Sequence, residues 1–411
     1  KDVKKMSKKA SYRRILILCT IFGILLLGIF GYLRIRNAVP DEIKLVAESN
    51  ESNIPKDQLH LNKDYPISFG DGSSGQDTVK CKLFGLIDLK DVKVSVVKDQ
   101  KLIPGGTPIG IYMETKGVLI IGTGTVTGMD GLNYEPAYHL VKTGDYIEAV
   151  NAEPIYNKTD LIEKVNQYGN EEVILNIRRN EEEIQLKVKP VMTAPEEYRL
   201  GIWVRDNTQG IGTLTFIDEN GRFGALGHGI TDVDTSTLME MDDGKLYETK
   251  ILSIIKGEKG SPGEMTGFID YNDANVRGQI KDNTEAGIFG IANDALKQEV
   301  AAEPMDICMK QDIELGPATI RCCASGEVKE YQVEIKEVNM TGDDVNKGIV
   351  LEITDPELLN LTGGIIQGMS GSPIIQNNKI IGAVTHVFIQ DSSRGFGIFI
   401  ENMLQMESEN Q

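Results

Sequence analysis

Apolar residues follow three patterns along this chain. The first is continuous: Ile15 to Leu33, "ILILCTIFGILLLGIFGYL", is an uncharged run of nineteen residues. As a helix rising about 1.5 Å per residue it covers roughly 30 Å, the depth of one hydrocarbon core. A cleaved secretory signal carries a shorter apolar stretch of about 7 to 15 residues. The run therefore predicts a retained transmembrane helix, with residues 1–36 as basic tail and anchor. From 37 to 77 the chain turns polar, with "AESNESNIPKDQ" and "FGDGSSGQD" and no sustained apolar period. Such a segment predicts a flexible stalk.

The second pattern mixes two periods between about 78 and 190. "VKCKLFGLIDLKDVKVSVV" reads as two strands, "PGGTPIGIYM" as a turn running into a strand, and "GVLIIGTGTVTG" as another strand. "NKTDLIEKVNQYG" switches to a helical period, with Asn157 or Thr159 as cap and Leu161, Ile162 and Val165 on its inner face. "EEVILNIRRNEEEIQLKV" closes the segment as a hairpin. The third pattern, residues 191–411, consists of short alternating strands with Gly and Asn/Asp turns, among them "GRFGALGHGIT", "KLYETKILSIIKG", "GIVLEITD" and "IIGAVTHVFI". About 200 residues of this texture fit a sandwich or a pair of barrels. The expected fold class is mainly β, with one α+β segment and one N-terminal transmembrane helix.

Composition changes this picture in one respect. At 411 residues, more than one domain is expected, and the formal charge of −18 lacks the basic stripe of a nucleic-acid binder. The charge is unevenly spread: residues 1–36 hold nine Lys or Arg against Asp2, leaving −26 on the remainder. Positive charge before the apolar run predicts an N-terminus in the cytoplasm and everything after residue 36 outside it. Five cysteines show no CxxC spacing, and the chain has no HExxH and no Walker loop. Neither a metal nor a cofactor is expected.

Four histidines, His60, His139, His228 and His386, limit the acid–base chemistry. His60 falls in the stalk and His139 reads as a surface residue. His228 lies between Gly227 and Gly229 in "GALGHGI". Flanking glycines allow a sharp turn and leave the imidazole edge accessible, as a general base requires. In "GMSGSP" the N–H groups of Gly368 and Ser370 can lie on one side of a tight loop, beside the oxygen that a Ser370 nucleophile would charge. Ser372 is the competing serine, but Pro373 follows it. Ser253 and Lys256 match S-x-x-K, yet "ILSIIKG" reads as a strand, which sends them to opposite faces. His386 in "GAVTHVF" reads as a pocket wall. For the acid, spacing by analogy with chymotrypsin would favour Asp270 or Asp273.

Two resemblances add to these readings. The order of parts in 78–190, with "KTGDYIEAVNAEPI" about thirty residues after "GIYM", resembles a PDZ domain. It implies that the loop Gly110, Ile111, Tyr112 and Met113 presents N–H groups to a peptide terminus that adds as a strand. "GMSGSP" resembles the nucleophile loop of chymotrypsin-like peptidases, with Ser372 in place of a second glycine. "GALGHGI", "ITDPELL" and "TGGIIQGMSGSPIIQNNKIIGAVTHVF" more closely resemble the stage IV sporulation protein B peptidases of endospore-forming bacteria. That resemblance implies a C-terminal chymotrypsin-like double β-barrel and a triad of His228, Asp355 and Ser370. It also implies a membrane-anchored serine endopeptidase in the space between the two spore membranes. Its substrate would be a membrane-tethered regulator of an intramembrane protease complex that processes a sigma factor, with self-cleavage in addition. The rival reading is an anchored PDZ adaptor whose peptidase-like domain is inactive.

Overall fold

The computed structural model describes residues 8–47, 67–69, 78–98, 100–300 and 302–409. Two compact units divide the chain. One comprises residues 1–99 with the short segments 309–314 and 338–343, the other comprises 100–308, 315–337 and 344–411.

The first unit opens with helix α1 (Lys8–Ala38). Its segment Tyr12–Ala38 contains an 18-residue window of mean hydropathy 2.6 and is long and apolar enough to cross a membrane, with Leu18, Phe22, Leu27 and Phe30 all exposed. A four-stranded sheet follows, formed by β1 (Glu42–Ala47), β2 (Ile67–Phe69), β3 (Thr78–Leu83) and β4 (Ile87–Lys98) in the order β1-β4-β3-β2. β1 runs parallel to β4 from Glu42↔Lys93 to Ala47↔Lys98, and β3 pairs antiparallel with β4. Ile43, Leu45, Val79, Cys81, Leu83, Leu89, Val92 and Val94 form the core.

This arrangement departs from the expected stalk. Within 37–77, Glu42–Ala47 and Ile67–Phe69 are strands, and the two strands read as the start of the PDZ-like segment belong to this sheet. Among the described side chains of β1, Ile43 and Leu45 point inward, and its partner lies about fifty residues away. A period that short is too weak to distinguish a strand from a linker. His60 lies outside the described residues, as do 48–66 and 70–77.

Two long antiparallel strands run through the second unit, β5 (Pro108–Thr123) and β6 (Ile202–Asp218). They pair from Thr213↔Pro108 to Ile202↔Thr123, with two register shifts. Each contributes to two separate cores. Val118, Ile120, Ile202 and Val204 join a cluster with Ile147, Leu161, Val165 and Leu175. Ile109, Ile111, Leu214 and Ile217 join another with Phe223, Leu226, Leu246 and Ile288. The first cluster is closed by α2 (Lys158–Tyr168), where Asn157 caps the helix by accepting from the Asp160 N–H. Leu161 and Val165 are buried as expected, but Ile162 is 56% exposed. The predicted hairpin forms between Val173–Arg179 and Glu182–Val188.

Gly110, Ile111, Tyr112 and Met113 sit inside β5 and not in a loop. On one edge they pair with β6, Gly110↔Ile211 to Met113↔Thr208. On the other they pair with β7 (Met241–Tyr247), Gly110↔Tyr247 to Met113↔Gly244. With both edges occupied, a peptide has no backbone groups left to join there. The apolar alternation was read correctly as a strand; the neighbours that cover it lie about 100 and 135 residues downstream.

Candidate active site

The His228 loop leaves the end of β8 (Arg222–Ala225) through two successive residues at positive φ, Leu226 (φ 69°) and Gly227 (φ 69°). A Cβ on Gly227 would lie 3.0 Å from Ile398, and one on Gly229 would lie 2.4 Å from the Thr284 carbonyl oxygen. Gly229 is thus required by close approach of backbone, and Gly227 is favoured by its positive φ. Asn283 fastens the loop: it accepts from the Ile230 N–H at 2.8 Å and donates to the Ile230 and Met239 carbonyls, both at 2.9 Å. His228 Nδ1–H donates to the Gly229 carbonyl at 2.9 Å, which leaves Nε2 as the basic nitrogen of the neutral ring. Burial lowers the His228 pKa below 6.5, against the Gly229 hydrogen bond.

The serine loop follows α3 (Pro356–Thr362) and a run of positive-φ glycines, including Gly368 (φ 97°) and Gly371 (φ 96°). It lies directly on β6. Thr213 N–H donates to the Ser370 carbonyl at 3.0 Å, Thr213 Oγ1 to the Gly368 carbonyl at 2.7 Å, and Thr215 Oγ1 to the Gly371 carbonyl at 2.8 Å. A Cβ on Gly371 would stand 2.0 Å from the Thr213 carbonyl oxygen, so only glycine fits. The N–H groups of Met369, Gly371 and Ser372 all donate within the protein. Among the described residues those of Gly368 and Ser370 donate to no acceptor. This is the pair that sequence reasoning proposed for an oxyanion.

His228, Gly368, Ser370 and His386 line one cavity of about 600 Å³, walled by aliphatic side chains such as Ile211, Leu226, Ile230, Ile366 and Val387. In the structure Ser370 Oγ donates to the Thr385 carbonyl at 2.7 Å and to neither histidine. The His386 ring lies with its centroid 4.9 Å from that of His228, tilted by 35°. Burial, then the neighbouring His228 and Lys347, push His386 down to about 4, against the pull of Asp344.

The remaining sequence candidates lie elsewhere. Asp355 caps α3, with Oδ1 accepting from the N–H groups of Glu357 (2.9 Å) and Leu358 (3.0 Å) and Oδ2 from that of Gln332 (3.2 Å). It does not line the cavity. Asp270 accepts from the Asn272 N–H, and Asp273 is exposed beside Lys245. Ser372 is fully buried and donates to the Met369 carbonyl. Ser253 lies in the strand Thr249–Ile255. The carboxylate whose charge acts on His386 is Asp344, held below its usual range by the Lys347 hydrogen bond. Asp344 lies in a turn, and nothing local in the sequence sets it apart. Thr213 and Thr215 were equally hidden, because their partners lie about 155 residues away. No group of three His, Cys, Asp or Glu among the described residues is arranged to hold a metal ion.

No curated protein matches the chain. Among solved structures it is similar to the Rv3671c protease of M. tuberculosis. The active form is 13% identical over 49% of this chain and 74% of that one, with a TM-score of 0.28; the inactive form is 14% identical over 48% and 83%, with a TM-score of 0.27. The sequence profile described as SpoIVB peptidase S55 matches residues 196–404. That span is just over half of the chain and contains the loops of both His228 and Ser370. This protein therefore belongs to the SpoIVB peptidase S55 family and is a serine peptidase.

Proposed function

We propose that the chain is a membrane-anchored endopeptidase in which Ser370 is the nucleophile and His228 the general base. The observation that carries this reading is the shared cavity of His228 and Ser370 with the two unoccupied N–H groups of Gly368 and Ser370. Ser370 Oγ leaves the Thr385 carbonyl, turns to Nε2 of His228 and attacks the scissile carbonyl as Nε2 takes its proton. The Gly368 and Ser370 N–H groups receive the oxyanion, and His228 returns the proton to the leaving amine. Labelling the full chain with a fluorophosphonate tests the assignment. Ser370→Ala is expected to abolish labelling and Ser372→Ala to retain it; labelling of Ser370→Ala at another serine would overturn it.

The orienting acid implied by the family resemblance is Asp355. In that role its carboxylate must leave the α3 cap, since the Gly229 carbonyl now accepts from Nδ1. Asp355→Asn separates the two roles, because Asn caps a helix as well as Asp does. We expect kcat to fall by about 10³ to 10⁴ with little change in Tm. Unchanged kcat would leave the cap as the residue's role and Gly229 as the orienting acceptor.

Peptide binding beyond the catalytic cavity, expected at Gly110–Met113, is better served by a second cavity of about 420 Å³. Leu161, Ile162 and Val165 of α2 and residues 197–204 line it. Exposed Ile162 and Trp203 offer apolar contact to an extended chain. Ile162→Asp should weaken peptide capture without lowering Tm, as read by fluorescence polarisation with a library of labelled C-terminal peptides.

The substrate class, a membrane-tethered regulator of an intramembrane protease complex in sporulation, rests on the family resemblance. So does self-cleavage within 37–77. Incubating active enzyme with full-length Ser370→Ala chain tests the latter by mass spectrometry of the fragments.

A further inference from the structure

We infer that His386 is a positioning residue for His228, its ring held by a β-bulge beside the imidazole of the base. The inference rests on His228 being the base. β9 (Lys379–Phe388) pairs with β10 (Asp391–Phe399), and their register runs from Val384↔Gly397 to Val387↔Gly395, three residues advancing against two. Such a bulge re-aims side chains next to functional sites. Gly395 permits it, since a Cβ there would lie 2.5 Å from the His386 carbonyl oxygen.

Three contacts arise from this one irregularity. The Thr385 carbonyl accepts from Ser370 Oγ at 2.7 Å, Thr385 Oγ1 donates to the Asn346 carbonyl at 2.7 Å, and the His386 ring meets the His228 ring at 4.9 Å. The bulge thus touches nucleophile and base together.

The physical need is specific. Among the described residues the His228 ring has one hydrogen bond, from Nδ1 to the Gly229 carbonyl, and no carboxylate on that nitrogen. A single bond along one edge leaves the ring free to tilt about it. A ring whose centroid lies 4.9 Å away at a 35° tilt restricts that freedom, which keeps Nε2 turned toward the cavity. Displacing a reacting group by about 1 Å can cost 10²-fold in rate.

The test measures phosphonylation of full-length protein in detergent by a fluorescent fluorophosphonate. Ser370 Oγ forms the O–P bond, fluoride leaves, and the base takes the hydroxyl proton, so the maximal rate (kinact) reports on the base without a known substrate. For His386→Ala we expect kinact to fall about tenfold to hundredfold, with the half-saturating concentration (KI) within threefold of wild type. For His386→Phe, which keeps a flat ring, kinact should return to within about threefold of wild type. A kinact unchanged in His386→Ala, a loss confined to KI, or a Phe variant no better than Ala would each overturn the inference. His228→Ala runs in parallel: if it labels like wild type, the base assignment itself fails, a result distinct from failure at His386. Equal Tm of the three proteins makes the comparison one of sites and not of folding.

Discussion

At the scale of single residues, the site depends on groups that leave no room for alternatives. Gly371 has φ 96° and the Thr213 carbonyl 2.0 Å from where a Cβ would sit. Gly371→Ala should therefore destabilise by about 3 kcal/mol or more and abolish fluorophosphonate labelling. Thr213→Val removes a buried donor from the Gly368 carbonyl. The orphaned acceptor should cost about 1–3 kcal/mol in a denaturant titration, and kcat should fall if Gly368 frames the oxyanion position as proposed. The acid limb of kcat/KM follows from His228. As the proposed base, His228 works when neutral, and burial lowers its pKa, so activity should persist on acidification and be lost only as pH passes below 6.5. A limb centred above 6.5 would contradict the buried placement of the ring. Both glycines around His228 were legible because the requirement is stated by the adjacent letters. Thr213 was not, because its partner belongs to another stretch of chain.

At the scale of elements, β6 does the most. Its first half completes the core against α2, and its second half completes the core beside the site and carries the two threonines that hold the serine loop. "LGIWVRDNTQGIGTLTFID" was readable as strand, but its two register shifts against β5 were not. Such shifts come from pairing, which a lone strand does not display. The loop of His228 depends on Asn283 of the strand Val276–Thr284. Asn283→Ala removes three hydrogen bonds and should cost about 2–4 kcal/mol, with kcat reduced in the fraction that stays folded. Asn157→Ala makes the contrasting case. Loss of the α2 cap should cost about 1 kcal/mol and leave fluorophosphonate labelling untouched.

At the scale of the whole molecule, one helix among the described residues is apolar and long enough to span a membrane, and most of the nearby basic residues precede its apolar run. The full chain should stay in the pellet after alkaline carbonate extraction. In intact cells the positive-inside bias predicts that protease added outside digests residues beyond α1 while the N-terminal tail is protected; a protected C-terminal part would reverse the orientation. The apolar N-terminal helix, the predominance of strand and the glycine-flanked loops of Ser370 and His228 were legible in the sequence itself. Each is a local property: an uncharged run, a period of two, or glycines beside a reactive side chain. Tertiary structure alone decided that 42–47 and 67–69 join a sheet and that Gly110–Met113 lie between two strands. It also decided that Asp355 caps a helix and that the His386 ring lies beside that of His228. These depend on which segments pair and where a register slips, and chain letters specify that only through the sum of weak contacts made across the folded core.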